Sequence, residues 1–225
     1  MSTDVLIEMP EDGVAFLRLN RPERKNALSI ALRDALSDYL EELADDPKIR
    51  CVVLGSSGPD FSAGFDLKEF ETAFSDKAYD DLLWASSDRY HKLLLTFPLP
   101  VIAAVRGVAL GGGFDTAVLA DIRLAGESAS FGHPEAAFAD VVYGPLHDLV
   151  GGAVARDLCL TGRRIDAETA LRYNLVSEIV PDGELEARAE EVASKVAQTP
   201  REILMRTKQK IIARAGIEFS RTLAL

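Results

Sequence analysis

Residues 101–135 read VIAAVRGVALGGGFDTAVLADIRLAGESASFGHPE, and apolar runs alternate in them with glycines and acids. Val101–Val105 and Ile122–Leu124 are short apolar runs, which predict strands. The glycines at 111–113 lead into a segment that predicts a helix. Because strands that alternate with helices form a mostly parallel sheet covered by helices, the stretch predicts an α/β fold.

The flanking sequence repeats this alternation. Upstream, Val14–Leu19 and Cys51–Leu54 predict two further strands, and between them residues 27–43 carry apolar side chains three and four positions apart, as in an amphipathic helix. A second helix is expected from about Tyr79 to Phe97, because two prolines follow it. Downstream of Glu135 the chain predicts a helical C-terminal part, with helices near residues 152–160, 166–173, 183–198 and 200–213.

The composition limits the classes of function. A chain of 225 residues with 48% hydrophobic and 27% charged residues is long enough for one folded domain with a sizeable core. Its net charge of -11 argues against a nucleic-acid partner, because binding to a phosphate backbone needs a clustered basic face.

The sequence predicts a cytoplasmic protein. The first residues, MSTDVLIEMPED, are acidic and lack the basic and apolar regions of a signal peptide. The longest uncharged run, Leu93–Val105, contains two prolines and is shorter than the roughly 18 to 20 residues of a spanning helix, so no membrane segment is expected. The cysteines, Cys51 and Cys159, lie in a strand-like and a helix-like run, which favours a reducing compartment without disulfides.

Two glycine-containing loops lie where a ligand binds in an α/β fold, at the carboxyl ends of strands. SAG follows the strand CVVL, GGG follows the strand VIAAV, and each leads into a helix. The first N–H groups of a helix have no partner inside it, so two such ends facing one cleft offer donors to a developing negative charge. The pattern predicts an oxyanion hole, although glycines that merely allow tight packing of a helix on a sheet would look the same.

Five blocks of sequence, spread over nearly the whole chain, carry a family resemblance: LNRPERKNALS, FSAGFDLKE, PVIAAVRGVALGGGFD, ADIRLAGESASFGHPE and LTGRRIDAETALRYNLVSEIV. In this order they resemble the enoyl-CoA hydratase/isomerase (crotonase) superfamily. The resemblance implies a spiral of ββα turns over residues 1–198 and a shortened helical trimerisation segment over residues 199–225. It also implies a homotrimer or a dimer of trimers and an acyl-CoA thioester substrate. No cofactor is expected, because coenzyme A is part of the substrate.

The resemblance assigns roles to individual residues. The two oxyanion donors fall on the backbone N–H groups of Phe65 and Gly112, and the two acid/base positions fall on Asp115 and Glu135. Phe65 stands where the family usually has a small residue, so its ring would narrow the acyl pocket. Hydratases of the family usually have glutamate at both acid/base positions, whereas the first is aspartate here. That pairing is similar to the dienoyl-CoA isomerases, and Asp140 is the candidate for their third carboxylate.

Four residues resemble the family's contacts to coenzyme A. Arg24, Lys25 and Lys68 occupy stretches that contact the phosphates, and an acidic protein needs such a local basic patch to bind an anion. Ala63 is the candidate for a backbone contact to the adenine. Isolated surface cations often have no specific role, which is the alternative for each of the three.

The histidines offer no metal motif, so no metal site is expected. The spacing places His91 on a helix surface and His133 and His147 nearer the proposed site. Hydration of a 2-enoyl-CoA is the leading reaction, followed by double-bond isomerisation and by hydrolysis. A catalytically silent member that binds acyl-CoA or serves as an assembly partner stays open, because the segment after Glu135 and the C-terminus are shorter than is usual in the family.

Overall fold

The computed structural model describes residues 3–137 and 139–225. The strands of these ranges are β1 Val5–Glu11, β2 Val14–Leu19, β3 Cys51–Ser56, β4 Val101–Val105, β5 Val108–Leu110, β6 Ile122–Gly126, β7 Ser130–Gly132, β8 Ile165–Asp166 and β9 Glu178–Val180. The helices are α1 Ile30–Asp45, α2 Leu67–Ser75, α3 Lys77–Thr96, α4 Gly112–Leu119, α5 Gly144–Thr161, α6 Ala167–Arg172, α7 Leu185–Ala197 and α8 Arg201–Ala215. Short 3-10 helices occur at Pro22–Arg24, Pro134–Ala137, Asp182–Glu184 and Thr222–Ala224.

The strands form two sheets. The larger has six strands in the order β1-β2-β3-β4-β6-β9, and the smaller has three in the order β5-β7-β8. In the larger sheet β1 and β2 are antiparallel, and every other neighbouring pair is parallel. The α/β class predicted from the sequence is therefore confirmed.

The chain advances as a spiral of ββα turns. β4 joins the larger sheet, β5 joins the smaller one, and α4 follows; β6, β7 and α5 repeat this order. An isolated bridge between Ser62 and Ala109 gives the preceding turn, β3 to α2, its contact with the smaller sheet. Each turn thus returns a loop and a helix start to the same edge, which stacks the loops after β3 and β5.

Both faces of the larger sheet are covered. Alternate residues of β2 point to opposite sides, so that Leu17 packs with α1 and α3 while Phe16 packs with α7. The buried alanines of α7 recur every fourth residue, at 189, 193 and 197, and allow a close approach to the sheet. The coverage explains why β3 and β4 are continuous apolar runs and do not alternate.

The four predicted strands are confirmed, and the described residues contain five others that the sequence does not predict. β1 lies in the acidic start of the chain, while β5, β7, β8 and β9 have only two or three residues and carry no periodic signal. The helix expected near residue 152 begins at Gly144. The sequence does not predict the first turns of this helix, because the helix is interrupted at Gly151, which has a φ of 77°.

The C-terminal part is helical, as expected. α8 exposes Ile203 and Ile211, and its buried residue Lys208 places Nζ 2.5 Å from Oδ2 of Asp121. Beyond α8, the backbone N–H and the hydroxyl group of Thr222 donate to Oδ1 of Asp88 on α3. The boundary at residue 198 and the trimerisation role remain predictions.

Across residues 3–137 and 139–225, none of the helices combines the length and the apolar character that crossing a bilayer requires.

Candidate active site

Two loops meet at the starts of α2 and α4. A Cβ on Gly64 would lie 2.7 Å from the carbonyl oxygen of Leu110 and 3.4 Å from the amide nitrogen of Gly112. Gly64 also has a φ of +91°, which side chains rarely adopt. The fold therefore needs glycine here, because a side chain would separate the two loops.

In each of the two loops, the residue before a predicted donor amide is held by a backbone hydrogen bond to a neighbouring segment. The carbonyl of Gly64 accepts from the N–H of Leu28 at 2.8 Å, and the N–H of Gly111 donates to Gly132 at 3.0 Å. Within residues 3–137 and 139–225, the next N–H groups, those of Phe65 and Gly112, have no hydrogen-bond acceptor. The structure thus brings together the two segments that were predicted to carry the oxyanion donors.

The ring of Phe65 forms a wall beside Gly112. A Cβ on Gly112 would lie 2.6 Å from Cε1 of that ring. The ring stacks on Phe70 at 5.8 Å between centroids and lies 6.3 Å from Trp84, and the guanidinium of buried Arg33 sits 4.4 Å from its centroid. These contacts on several sides hold the ring in place.

Asp115 and Glu135 lie together, as the sequence predicted. Asp115 is buried in the first turn of α4, and a Cβ on Gly111 would lie 2.8 Å from Oε1 of Glu135, so that carboxylate covers the start of the same helix. His133 completes the group, because its Nε2 is 2.8 Å from Oδ1 of Asp115. One ligand-type atom from each of the three residues lies within 4.8 Å of the others.

The three groups perturb one another's ionisation. Burial raises the pKa of Glu135, and the nearby Asp115 raises it further while His133 opposes this. Burial alone would lower the pKa of His133, but the Asp115 carboxylate attracts the charged imidazole and accepts its hydrogen bond, which raises the pKa to about 10. The site therefore favours an imidazolium beside Asp115 and a Glu135 carboxyl group that keeps its proton to higher pH than an exposed glutamate does.

Asp115, His133 and Glu135 are also residue types that can bind a metal ion. Among the described residues, only this group brings three potential ligand atoms within 4.8 Å. The separation of 2.8 Å between Nε2 and Oδ1 is the length of an N–H···O hydrogen bond, in which His133 is a donor and has no lone pair for a cation at that atom. We therefore interpret the group as a proton network.

His91 was expected on a helix surface, and this expectation was wrong. The side chain is fully buried on α3, with its ring centroid 6.2 Å from that of Phe65. The C-terminal 3-10 helix covers this face of α3, since the hydroxyl groups of Ser87 and Thr222 are 3.0 Å apart. A contact between residues so distant in sequence leaves no trace in the periodicity of α3.

Asp140 and His147 lie apart from the group. Asp140 is exposed and is not one of the three clustered ligand-type side chains. Its role as a third carboxylate stays a prediction. His147 is half exposed on α5, with Nδ1 3.5 Å from Oδ1 of Asp148.

The residues that the resemblance assigns to coenzyme A lie at the edge of the two loops. Arg24, Lys25 and Lys68 are exposed, and the carbonyl of Lys25 accepts from the N–H of Ala63 at 2.9 Å. That bond leaves the carbonyl of Ala63 as the backbone group available to a ligand. The side chain of Lys25 has only a distant acidic neighbour, Asp60, with 3.9 Å between Nζ and Oδ2.

Comparisons with known proteins agree on one family. Residues 10–223 match the family model described as enoyl-CoA hydratase/isomerase. A probable enoyl-CoA hydratase of Mycobacterium tuberculosis is 34% identical over 203 residues, which is 88% of this chain and 77% of that protein. A putative enoyl-CoA hydratase of Thermus thermophilus is 34% identical over 226 residues, covering 94% of this chain and 85% of its own. The crystal structure of an enoyl-CoA hydratase from Bacillus anthracis superposes with a TM-score of 0.89 at 32% identity, covering 96% and 85% of the two chains.

Proposed function

We propose, from the premise that this chain belongs to the enoyl-CoA hydratase/isomerase (crotonase) family, that it hydrates a 2-enoyl-CoA to a 3-hydroxyacyl-CoA. The observation that carries the proposal is that two amide donors without an acceptor among the described residues meet the buried carboxyl group of Asp115 and the half-buried one of Glu135 at one edge of the fold. The donors suit a thioester oxygen that becomes negative, and the carboxyl groups suit proton transfer beside it.

The oxyanion hole consists of the N–H groups of Phe65 and Gly112. Both donate to the thioester oxygen, and their hydrogen bonds strengthen as that oxygen becomes an enolate. Fixed donors of this kind need no rearrangement during the reaction, and one of them is worth about 2.7 to 4 kcal/mol of transition-state stabilisation. The glycines at 64 and 111 keep the space around the oxygen free of side chains.

The two carboxyl groups divide the work of adding water. Glu135 takes a proton from the water as its oxygen bonds to Cβ, and it delivers a proton to Cα as the enolate collapses. Its raised pKa favours this exchange near neutral pH. Asp115 stays ionised beside His133 and accepts the second hydrogen bond of the water, which orients the attacking oxygen. One water is consumed, and Glu135 returns to its starting state.

Double-bond isomerisation is the second candidate, and the hydrogen bond between His133 and Asp115 favours it. Because Asp115 is held by His133, Glu135 is the group of the three best placed to carry a proton. A single carrier is sufficient to move a proton from Cγ to Cα, whereas hydration also needs a place for water. In that reaction the oxyanion hole would hold a dienolate.

A labelling experiment distinguishes the reactions. The protein is incubated with a panel of enoyl-CoA thioesters in heavy-oxygen water and, separately, in deuterated water, and the products are weighed. A gain of one labelled water supports hydration. A shifted double bond with deuterium at Cα or Cγ and no water gain supports isomerisation, and a free acid that carries heavy oxygen supports hydrolysis. Binding without turnover of any thioester would contradict all three and identify a silent acyl-CoA-binding member.

The remaining parts of the proposal concern coenzyme A and assembly. Arg24, Lys25 and Lys68 attract the phosphates, and the carbonyl of Ala63 accepts from the adenine amino group. The apolar side chains that α8 exposes would form part of a trimer contact. Coenzyme A enters and leaves as part of the substrate and product, so the reaction requires no separate cofactor.

Lys68→Gln is expected to weaken substrate binding and leave the chemistry unchanged. A single exposed charge pair is worth roughly 0.2 to 1 kcal/mol, so KM for a CoA thioester should rise about two- to fivefold while kcat stays constant. Steady-state kinetics at low and high salt measure this, and the difference should shrink at high salt. Lys48→Gln is the matched control, because exposed Lys48 precedes β3 at the opposite end of the strand. An equal rise in KM in both variants would contradict the assignment.

Phe65→Ala is expected to change the choice of acyl chain. Removal of the ring enlarges the space beside Gly112 while the backbone donor stays. The ratio of kcat/KM for a long over a short enoyl thioester should rise about tenfold or more, which corresponds to about 1.4 kcal/mol. Phe74→Ala is the control, since that α2 ring is 90% exposed. An unchanged ratio would mean that the Phe65 ring does not bound the acyl pocket.

A further inference from the structure

We infer that His133 is a positioning residue, which holds Asp115 ionised and in a single orientation so that the substrate meets a fixed negative oxygen. The inference rests on the proposed function for its catalytic consequence, but its central claim concerns the charge and orientation of Asp115. The sequence predicts that His133 lies near the site but assigns no role to it.

The backbone on both sides of the pair is fixed. Asp115 lies in the first turn of α4, and its N–H donates to Gly111 at 2.9 Å. His133 directly follows β7, and its carbonyl accepts from Ala136 at 3.0 Å. The imidazole is fully buried and tilted against Phe114, with 4.7 Å between ring centroids. The hydrogen bond from Nε2 to Oδ1 therefore joins two fixed elements and engages one oxygen of the Asp115 carboxylate.

The charges around the pair are unbalanced without His133. Asp115 and Glu135 bring two carboxyl groups within 4.8 Å, and His91, the other buried imidazole that acts on Asp115, has its pKa lowered by burial. On the far side of His133 lies Cys159 of α5, whose thiol donates to the carbonyl of Val142 at 3.6 Å. Among the groups that face the two carboxylates in the described chain, His133 is thus the one with a positive charge.

A buried and a half-buried carboxyl group this close would otherwise tend to share one proton, because ionisation of one disfavours ionisation of the other. A proton on Asp115 would remove the anionic acceptor for water. The imidazolium of His133 offsets one negative charge and satisfies Oδ1, so Asp115 stays a carboxylate and Glu135 is the group that gains and loses a proton. The raised pKa of Glu135 agrees with this arrangement.

The charge state can be measured without turnover. The full-length protein is labelled with carbon-13 at aspartate carboxyl groups and with nitrogen-15 at histidine, and NMR titrations compare the wild type with His133→Gln. In the wild type we expect both His133 nitrogens to carry protons up to pH 8. In His133→Gln, Asp115 should take up a proton at a higher pH than in the wild type. Identical titrations of Asp115 in both proteins would overturn the inference, as would a neutral His133 at pH 7.

Kinetics test the positioning role separately. In His133→Gln the acidic limb of the kcat profile should move up by at least one pH unit, and kcat should fall about tenfold or more with KM little changed. His147→Gln, on the exposed face of α5, is the control and should match the wild type. A wild-type profile in His133→Gln, despite the shifted titration of Asp115, would reduce His133 to a structural residue and overturn the inference. If the wild type turns over no thioester, the proposed function fails while the titration still decides the charge of Asp115.

Discussion

Glu135→Gln is expected to lose about a hundred- to ten-thousandfold in kcat while KM changes little. The side chain keeps its size but no longer accepts or delivers a proton, and general acid–base groups contribute rate factors of this order. The residue lies over Gly111 at the start of α4, where no other carboxyl group than Asp115 is clustered with it in the described chain. Steady-state kinetics with the best thioester of the panel measure the loss. Glu127→Gln, an exposed acid in the turn before β7, is the matched control.

Asp115→Asn separates the two candidate reactions. In hydration the variant should lose kcat almost as strongly as Glu135→Gln, because the water loses its anionic acceptor. In isomerisation no water is oriented, so the loss should stay within about tenfold. Glu135→Gln should be inactive in either reaction. Full activity in both variants would contradict the assignment of the pair.

The parts of the site that the sequence could predict are those encoded by short local signals. The glycines at 111–113 and the acid that follows them mark a helix start with close backbone approach, and the structure places this start against Gly64. Asp115 and Glu135 are separated by one turn of the spiral, which the order of strands and helices implies. Local chemistry and the resemblance together therefore located both carboxyl groups.

The parts that could not be predicted depend on contacts between distant segments. The pairing of His133 with Asp115 requires the end of β7 to lie beside the first turn of α4, and nothing in the spacing of a lone histidine indicates that. His91 is buried on a face of α3 that packs against distant segments, with Phe65 beside its ring and Thr222 beside Ser87 one turn away. β7 and β8 have three and two residues and exist because they complete the smaller sheet, so tertiary pairing and not propensity determines them.

The stability of the protein is expected to fall as the pH rises from about 6.5 to about 10, because the ion pair between His133 and Asp115 loses the proton of His133. The folded state holds the proton of His133 with a pKa of about 10, whereas an ordinary imidazole has a pKa of about 6.5. The folded protein therefore binds this proton more tightly than the unfolded chain does. Its stabilising contribution is complete below pH 6.5 and decreases as the pH rises toward 10, with a slope of at most about 1.4 kcal/mol per pH unit.

His133→Phe should remove this slope and lower the free energy of unfolding at pH 6 by about 3 to 5 kcal/mol, because Asp115 would remain buried without its partner. Urea unfolding at a series of pH values between 6 and 8 measures both effects. His147→Gln should keep the wild-type slope, since that imidazole is exposed. The series stops at pH 8 because Cys51 of β3 adds a slope of its own at higher pH. The unfolded thiol ionises near its ordinary pKa of 9, whereas burial raises the pKa of the folded thiol to about 12. Equal slopes in the wild type and in His133→Phe would mean that His133 is neutral in the folded protein, and Asp115 would then lack the positive partner that keeps it ionised.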